Sequence, residues 1–316
     1  MAKRERKPTV TQLIMADVDQ KLSIHAHDLT RKQYRRQVKQ YVKFCREQYN
    51  CRTFDECKNH IQNYSDFLQK QGYAASTIHT YLAAICNVFE VGLASIRKPI
   101  RYVSQYTRGR DQKNIDAASD LNNPQWAYLV EFQRVVGIRR DELMRLRGRD
   151  FVIDESGYPC VFVARGKGGK KQMQRIADED VAFVKSYFDA VAPHEKVFEE
   201  KYFKNDLNLH KLRAECAKRY YYDQLEKIRS DQSYKRILEH EIRCRWETTN
   251  FYKNGNPKTI DKTELYGIYT LRGKNRQYAL EKGLDIHYDK LALLATSMFK
   301  LSHFRNDVTI ASYLLA

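Results

Sequence analysis

The chain has 316 residues, 42% of them hydrophobic, enough apolar material for a packed core, which excludes a disordered polymer. Lysine and arginine number 56 against 39 acidic residues; the resulting charge of +17 predicts a polyanionic partner, most simply nucleic acid, the alternative being a generally basic protein without one. No stretch approaches the ~20 uninterrupted apolar residues of a membrane-spanning helix.

Residues 1–20 open with MAKRERKPTVTQ, which is basic but lacks the apolar run of a secretory signal, and they read as a short mobile arm. Residues 21–97 read as a small helical bundle. DLTRKQYRRQVKQYVKFCREQ starts at a capping candidate, Asp28 or Thr30, and places Tyr34, Val38, Tyr41, Val42 and Cys45 at helical spacing. TFDECKNHIQNYSDFLQKQG reads as a second helix, capped by Thr53 and stopped by Gly72. YAASTIHTYLAAICNVFEVGL reads as a third, capped by Ser76, with Ile78, Tyr81, Leu82, Ile85 and Phe89 inward.

Residues 98–114 are basic and lack a periodic stripe, so they read as a linker after the helix-breaking Pro99. A second domain is expected over 115–316. PQWAYLVEFQRVVGIRRDELMRLRGRDF suggests two helices joined around Gly137. YPCVFVAR and KQMQRI flank a Gly-rich turn and predict a β-hairpin. Residues 179–250 read as basic helices, YKNGNPKTIDKTE as a loop, and helices are expected from Leu265 to the end.

The seven cysteines, Cys45, Cys51, Cys57, Cys86, Cys160, Cys216 and Cys244, are odd in number and form no C-x-x-C pair. That argues against a disulfide framework and for reduced thiols in a cytoplasm. Cys45, Cys51 and Cys57 lie close in sequence with His60 nearby, but the spacing matches no common ligand pattern, so no metal is expected.

Four short islands carry residues able to do chemistry. Arg139 and Glu142 in VVGIRRDELMRL stand one helical turn apart, as a site pair or a surface ion pair. Lys167 and Lys170 lie in ARGKGGKKQ, a turn that could present a mobile lysine or merely a solvated charge. It does not fit the G-x-x-x-x-G-K-[ST] phosphate loop. Tyr269 and Arg272 lie in YGIYTLRGKNRQYALEKG, and His303 and Tyr313 in LSHFRNDVTIASYLLA. With 22 tyrosines in the chain, Tyr313 alone could equally be the last aromatic of a packed helix.

In order and approximate spacing, GIRRDEL, GKGGKKQ, YTLRGKNRQYALEKG and LSHFRNDVTIASYL resemble the motifs of tyrosine recombinases, the phage-integrase family. YAASTIHTYLAAICNVF is similar to the last main helix of that family's N-terminal core-binding domain, so the resemblance runs from about residue 20 to the end. It implies a mainly α fold with a small β-hairpin or sheet: a helical core-binding domain followed by a mixed α/β catalytic domain.

The resemblance further implies a site-specific recombinase or integrase of a mobile element, cutting and rejoining DNA through a covalent 3′-phosphotyrosine and a Holliday junction. Tyr313 matches the nucleophile, Arg139 and Arg272 the two arginines, and Glu142 the acidic support. Lys167 matches the hairpin lysine and His303 the late histidine. The chemistry suits these residue types. Guanidiniums clamp charge on the phosphate oxygens, a lysine can protonate the departing 5′-oxygen, and the phosphotyrosine keeps the bond energy, so neither ATP nor metal nor other cofactor is required.

The match has departures. The family's His-x-x-Arg-His box reads Tyr269-Thr270-Leu271-Arg272-Gly273, which leaves Tyr269 where a histidine assists. Ser302 replaces the glycine of Leu-Gly-His, the interval from His303 to Tyr313 is one residue longer than the pattern, and the stretch between hairpin and Tyr269 is longer too. The altered Tyr269 and Gly273 motivate a second reading, a DNA-binding protein of this fold with little or no cleavage; a third is a strand-relaxing or hairpin-end-forming enzyme. The expected partners are double-stranded DNA at specific sites, three further copies in a homotetramer, and accessory DNA-bending or directionality proteins, in a prokaryotic cytoplasm at the nucleoid. Candidate DNA contacts are Arg35, Arg36, Lys39, His79 and Lys170.

Overall fold

In the computed structural model, which describes residues 8–23, 28–102, 121–166, 169–203, 207–250 and 255–315, the chain divides into two units, Met1–Arg101 and Tyr102–Ala316. Both are built mainly of helices, and the second adds small antiparallel sheets. No helix among the described residues is long and apolar enough to cross a membrane.

The first unit holds α1 (Val10–Ser23), α2 (Asp28–Tyr49), α3 (Phe54–Lys58), α4 (Ile61–Lys70) and α5 (Ala75–Val88). Its core joins Val38, Tyr41, Val42 and Cys45 of α2 to Ile78, Leu82 and Ile85 of α5, the stripes read from the sequence. Three expectations are corrected. Half of the supposed arm is α1, because Ile14, Met15, Val18 and Leu22 form an apolar stripe that buries against this core. The single helix expected from Thr53 to Gly72 is broken at Asn59 and His60. Thr53 caps only α3, whereas His60 leaves the helix axis to stack on Tyr49, with ring centroids 3.8 Å apart. Ser76 is inside the first turn of α5, and Ala74 occupies its cap position. Of the expected linker, residues 98–102 have no regular structure and 103–114 lie outside the described residues.

In the second unit, α6 (Ala127–Val136) ends at Gly137, which adopts the left-handed φ 66° and is followed by the one-turn helix α7 (Arg140–Leu143). Strands β1 (Phe151–Ile153), β2 (Pro159–Val163) and β3 (Gln172–Arg175) form an antiparallel sheet in that order; the hairpin expected from sequence is its β2–β3 half. Helix α8 (Val181–Asp189) precedes two long helices, α9 (Leu209–Ser230) and α10 (Gln232–Thr249). Arg175, buried at the end of β3, ties the sheet to α10 through Glu241 (2.8 Å) and also bonds Asp154 (3.0 Å).

The part expected to be helical from Leu265 onward is more varied. It contains α11 (Lys262–Leu265), β4 (Ile268–Thr270), α12 (Gly273–Glu281), β5 (His287–Asp289), α13 (Lys290–Ala295) and α14 (Asn306–Thr309). β4 pairs antiparallel with β5, Tyr269 opposite Tyr288. Two π-helical turns, Thr296–Lys300 and Ile310–Leu314, follow α13 and α14. Helix α9 packs on α6, on α13 and on both π turns, so elements distant in sequence converge on it.

Candidate active site

Glu142 is 2% exposed, and its carboxylate is fully engaged. Its Oε1 accepts from Arg139 Nη1 (2.7 Å) and Gln172 Nε2 (3.0 Å), and its Oε2 accepts from the Arg139 backbone N–H (2.9 Å). Glu142 thereby closes the capping box that nucleates so short a helix as α7. Burial pushes this carboxyl up, but the guanidiniums of Arg139 and Arg213 and the backbone bond outweigh it, and its pKa lies below the usual range. The ion pair is therefore a buried anchor for Arg139, which stays half-buried.

Gln172 brings the hairpin to this anchor. A Cβ on Gly166 would fall 1.6 Å from Gln172 Nε2, so only glycine there leaves the amide room to reach Glu142. Lys167 itself lies outside the described residues. Its neighbours Gly166 and Lys170 close the turn through Gly166 N–H to Lys170 O (2.8 Å). Lys170 is exposed at the turn.

Tyr313 sits on the second π turn, 6% exposed, packed with Ala214, Ala217 and Leu301. π-helical turns are rare and concentrate at functional sites. The Tyr313 hydroxyl lies 3.5 Å from Arg213 Nε. The His210 and His303 rings are centred 5.5 Å and 6.1 Å from its own. Arg213 is 1% exposed, and its other two nitrogens donate to the carbonyls of Gly137 and Leu301. It joins the α6–α7 corner to the loop before His303.

His303 follows Ser302, which takes the left-handed φ 55°. Its Nδ1 accepts from Arg305 N–H (3.4 Å), which assigns the proton of the neutral ring to Nε2. Nε2 is buried and has no hydrogen-bond partner among the described residues. Burial first, then the charges of Arg213, Arg139 and Arg305, lower the His303 pKa to about 4, so the ring is neutral at pH 7. Buried Lys300 fixes the preceding π turn by donating to the carbonyls of Val135 (3.0 Å) and Arg175 (3.2 Å).

The structure thus gathers Arg139, Glu142, His303 and Tyr313, but not Tyr269 and Arg272. Tyr269 packs on the core around the β4–β5 ribbon. The Arg272 side chain is exposed, and no hydrogen bond or ion pair links it to Arg139, Glu142, His303 or Tyr313. The arginine beside Tyr313 is instead Arg213, with His210 one helical turn before it on α9. His210-Lys211-Leu212-Arg213 is itself a His-x-x-Arg spacing. It stands among the many polar residues of α9, earlier in the chain than the similar spacing at 269–272.

Among the proposed DNA contacts, Arg35 is held by Asp19 of α1 through two bonds (2.6 and 3.0 Å), and His79 Nε2 is within 2.7 Å of the Pro99 carbonyl. Arg36 and Lys39 are exposed on α2. A groove of about 440 Å³ runs beside Glu142 and collects Arg145, Arg147, Arg149, Arg165 and Lys196. This cluster has no mark in the sequence, because its members come from three separate segments.

No curated protein is similar enough to this chain to match it. Among the solved structures similar to it is a crystal structure of XerA recombinase, at 17% identity over 76% of this chain and 99% of that one, with a TM-score of 0.25. Residues 20–93 match the family model of the phage integrase N-terminal SAM-like domain, a span from the end of α1 to just beyond α5. The match identifies an integrase-type N-terminal domain within residues 20–93 of this chain.

Proposed function

We propose that this protein is a site-specific DNA recombinase in which Tyr313 attacks a backbone phosphate, forms a 3′-phosphotyrosine and releases a 5′-hydroxyl. The reading rests on one observation: Tyr313 Oη lies 3.5 Å from the buried guanidinium of Arg213. An arginine fixed by two backbone carbonyls is preorganised for charge that develops on a phosphate.

Arg139, held by Glu142, supplies the second guanidinium. His303, neutral at pH 7, offers its Nε2–H to a phosphate oxygen. His210, one turn from Arg213, is the group placed to share the phenol's proton, and Lys167 is the general acid for the leaving 5′-oxygen. Attack makes the Tyr313 Oη–P bond and breaks the P–O5′ bond, and a second 5′-hydroxyl reverses the exchange. The basic groove beside Glu142 fits the phosphates of a DNA backbone. The reading without cleavage drew on the altered Tyr269 and Gly273; His210 answers the first, while Ala214 stands where the box has its second histidine.

The test is a nicked suicide substrate carrying the element's end sequence, incubated with wild type and with Tyr313→Phe and run on a denaturing gel. A covalent adduct with wild type alone is expected. Tight binding without any adduct would overturn the proposal, and an adduct that survives Tyr313→Phe would move the nucleophile elsewhere.

A further inference from the structure

Cys45, Cys51 and Cys57 recur at six-residue intervals, a pattern that by itself suggests no ligand set. Folding brings them together. Asn50 ends α2 in the left-handed region, φ 53°, and turns the chain back so that Cys51 N–H reaches the Cys45 carbonyl (3.4 Å). Thr53 and Glu56 then hold the short helix α3: Thr53 Oγ1 accepts from Glu56 N–H, and Arg52 N–H donates to Glu56 Oε2 (2.6 Å). Cys57 on that helix points inward, its carbonyl bonded by the Tyr41 hydroxyl and by His60 N–H. All three side chains are buried, at 0%, 3% and 0% exposure, and their sulfurs all lie within 4.8 Å of one another.

We propose that these three cysteines form a binding site for a thiophilic d10 metal ion, Zn2+ or Cu+, in the first unit. A metal–sulfur bond of about 2.3 Å sets sulfurs roughly 3.8 Å apart around one ion. Side-chain rotations that close the triangle by about 1 Å from its present 4.8 Å limit complete the set. The donors are all sulfur, with no carboxylate or imidazole in the triangle, which selects soft ions over Mg2+ and Ca2+. On binding, three S–H groups lose their protons to solvent and three metal–thiolate bonds form, with no change of oxidation state. The route in is short, since exposed Asn50 and Arg52 flank Cys51. The ion would clamp the end of α2, the connecting turn and α3 to one another, a cross-link within the integrase-type domain.

The experiment uses the full chain, stripped of metal and kept reduced with a phosphine. It is titrated with Cd2+, whose thiolate complexes absorb in the ultraviolet by charge transfer. Saturation at one equivalent is expected, with a rise in melting temperature of several degrees. The band should vanish in Cys57→Ser and in Cys51→Ser and persist in Cys86→Ser and Cys244→Ser, which lie outside the triangle. Circular dichroism checks that each variant is folded, and Cys51→Ser, at the turn, carries the test if Cys57→Ser fails to fold. Displacement of Cd2+ by Zn2+ alone or by Cu+ alone then identifies the occupant. A wild type with no saturable band, or a band that survives both Cys51→Ser and Cys57→Ser, overturns the proposal.

Discussion

Arg213 and Tyr313, separated by 100 residues in the chain, meet at 3.5 Å between guanidinium Nε and phenol oxygen. The contact is made by two elements of unlike character, the long α-helix α9 and a π-helical turn. Because the remaining Arg213 nitrogens are spent on the Gly137 and Leu301 carbonyls, the guanidinium has one orientation, set by the folded backbone.

Arg213→Lys tests that orientation. Lysine keeps the charge and loses the planar fork, so the rate of covalent adduct formation should fall by about 100-fold or more. The melting temperature, measured alongside, separates lost chemistry from lost fold. Arg272→Ala should react at close to the wild-type rate. The opposite pattern, with Arg272→Ala inert and Arg213→Lys active, would return the second arginine to residue 272.

His303 has a folded-state pKa of about 4 against an ordinary value of 6.5. Between those values the unfolded chain binds the proton and the folded chain does not. Stability from this group is therefore complete above pH 6.5 and is lost as pH falls toward 4, by up to about 3 kcal/mol. His303→Gln should flatten that part of the stability curve, as measured by denaturant unfolding at stepped pH. An unchanged slope in the variant would count against the buried neutral imidazole.

Ser302 holds a left-handed φ of 55°, and its Oγ is buried without a partner among the described residues. Ser302→Gly relieves both costs at once and should raise stability by about 1 kcal/mol, read from the urea midpoint, with adduct formation retained. A destabilised variant would mean that the hydroxyl has a partner that matters.

Gly137 is the reverse case. Its φ is 66°, and a Cβ there would lie 2.9 Å from both Cβ and Sγ of Cys216. Gly137→Ala should cost about 2 kcal/mol or more in unfolding free energy. It should also slow adduct formation, because the displaced carbonyl is one that positions Arg213.

Much of this arrangement could be read in the sequence, wherever a periodic pattern stood alone. The stripes of α2 and α5 were clear because apolar residues recur at helical spacing against charged neighbours. Arg139 with Glu142, the Gly-rich turn, His303 and Tyr313 each had a local signature. His210 and Arg213 carry a His-x-x-Arg spacing too, but on α9 it stands among many polar residues, and burial, which distinguishes Arg213, has no sequence mark. Tyr269 and Arg272 share the spacing of the box, but spacing alone does not reveal that Tyr269 belongs to a two-stranded ribbon. The break at His60 was equally hidden, since the stacking partner Tyr49 belongs to another helix.

The two π turns change how distance along this chain should be measured. Leu301 N–H reaches back to Thr296 O, and Leu315 N–H to Ile310 O, both at 2.9 Å, so each turn houses one residue more than an α-turn would. The interval from His303 to Tyr313 was one residue too long for the family pattern, and the second turn is where a surplus residue can be stored, coiled in place instead of pushing the phenol away. Sequence separation is thus an elastic ruler here. A motif search with rigid gaps would pass over the tyrosine that space keeps beside its arginine.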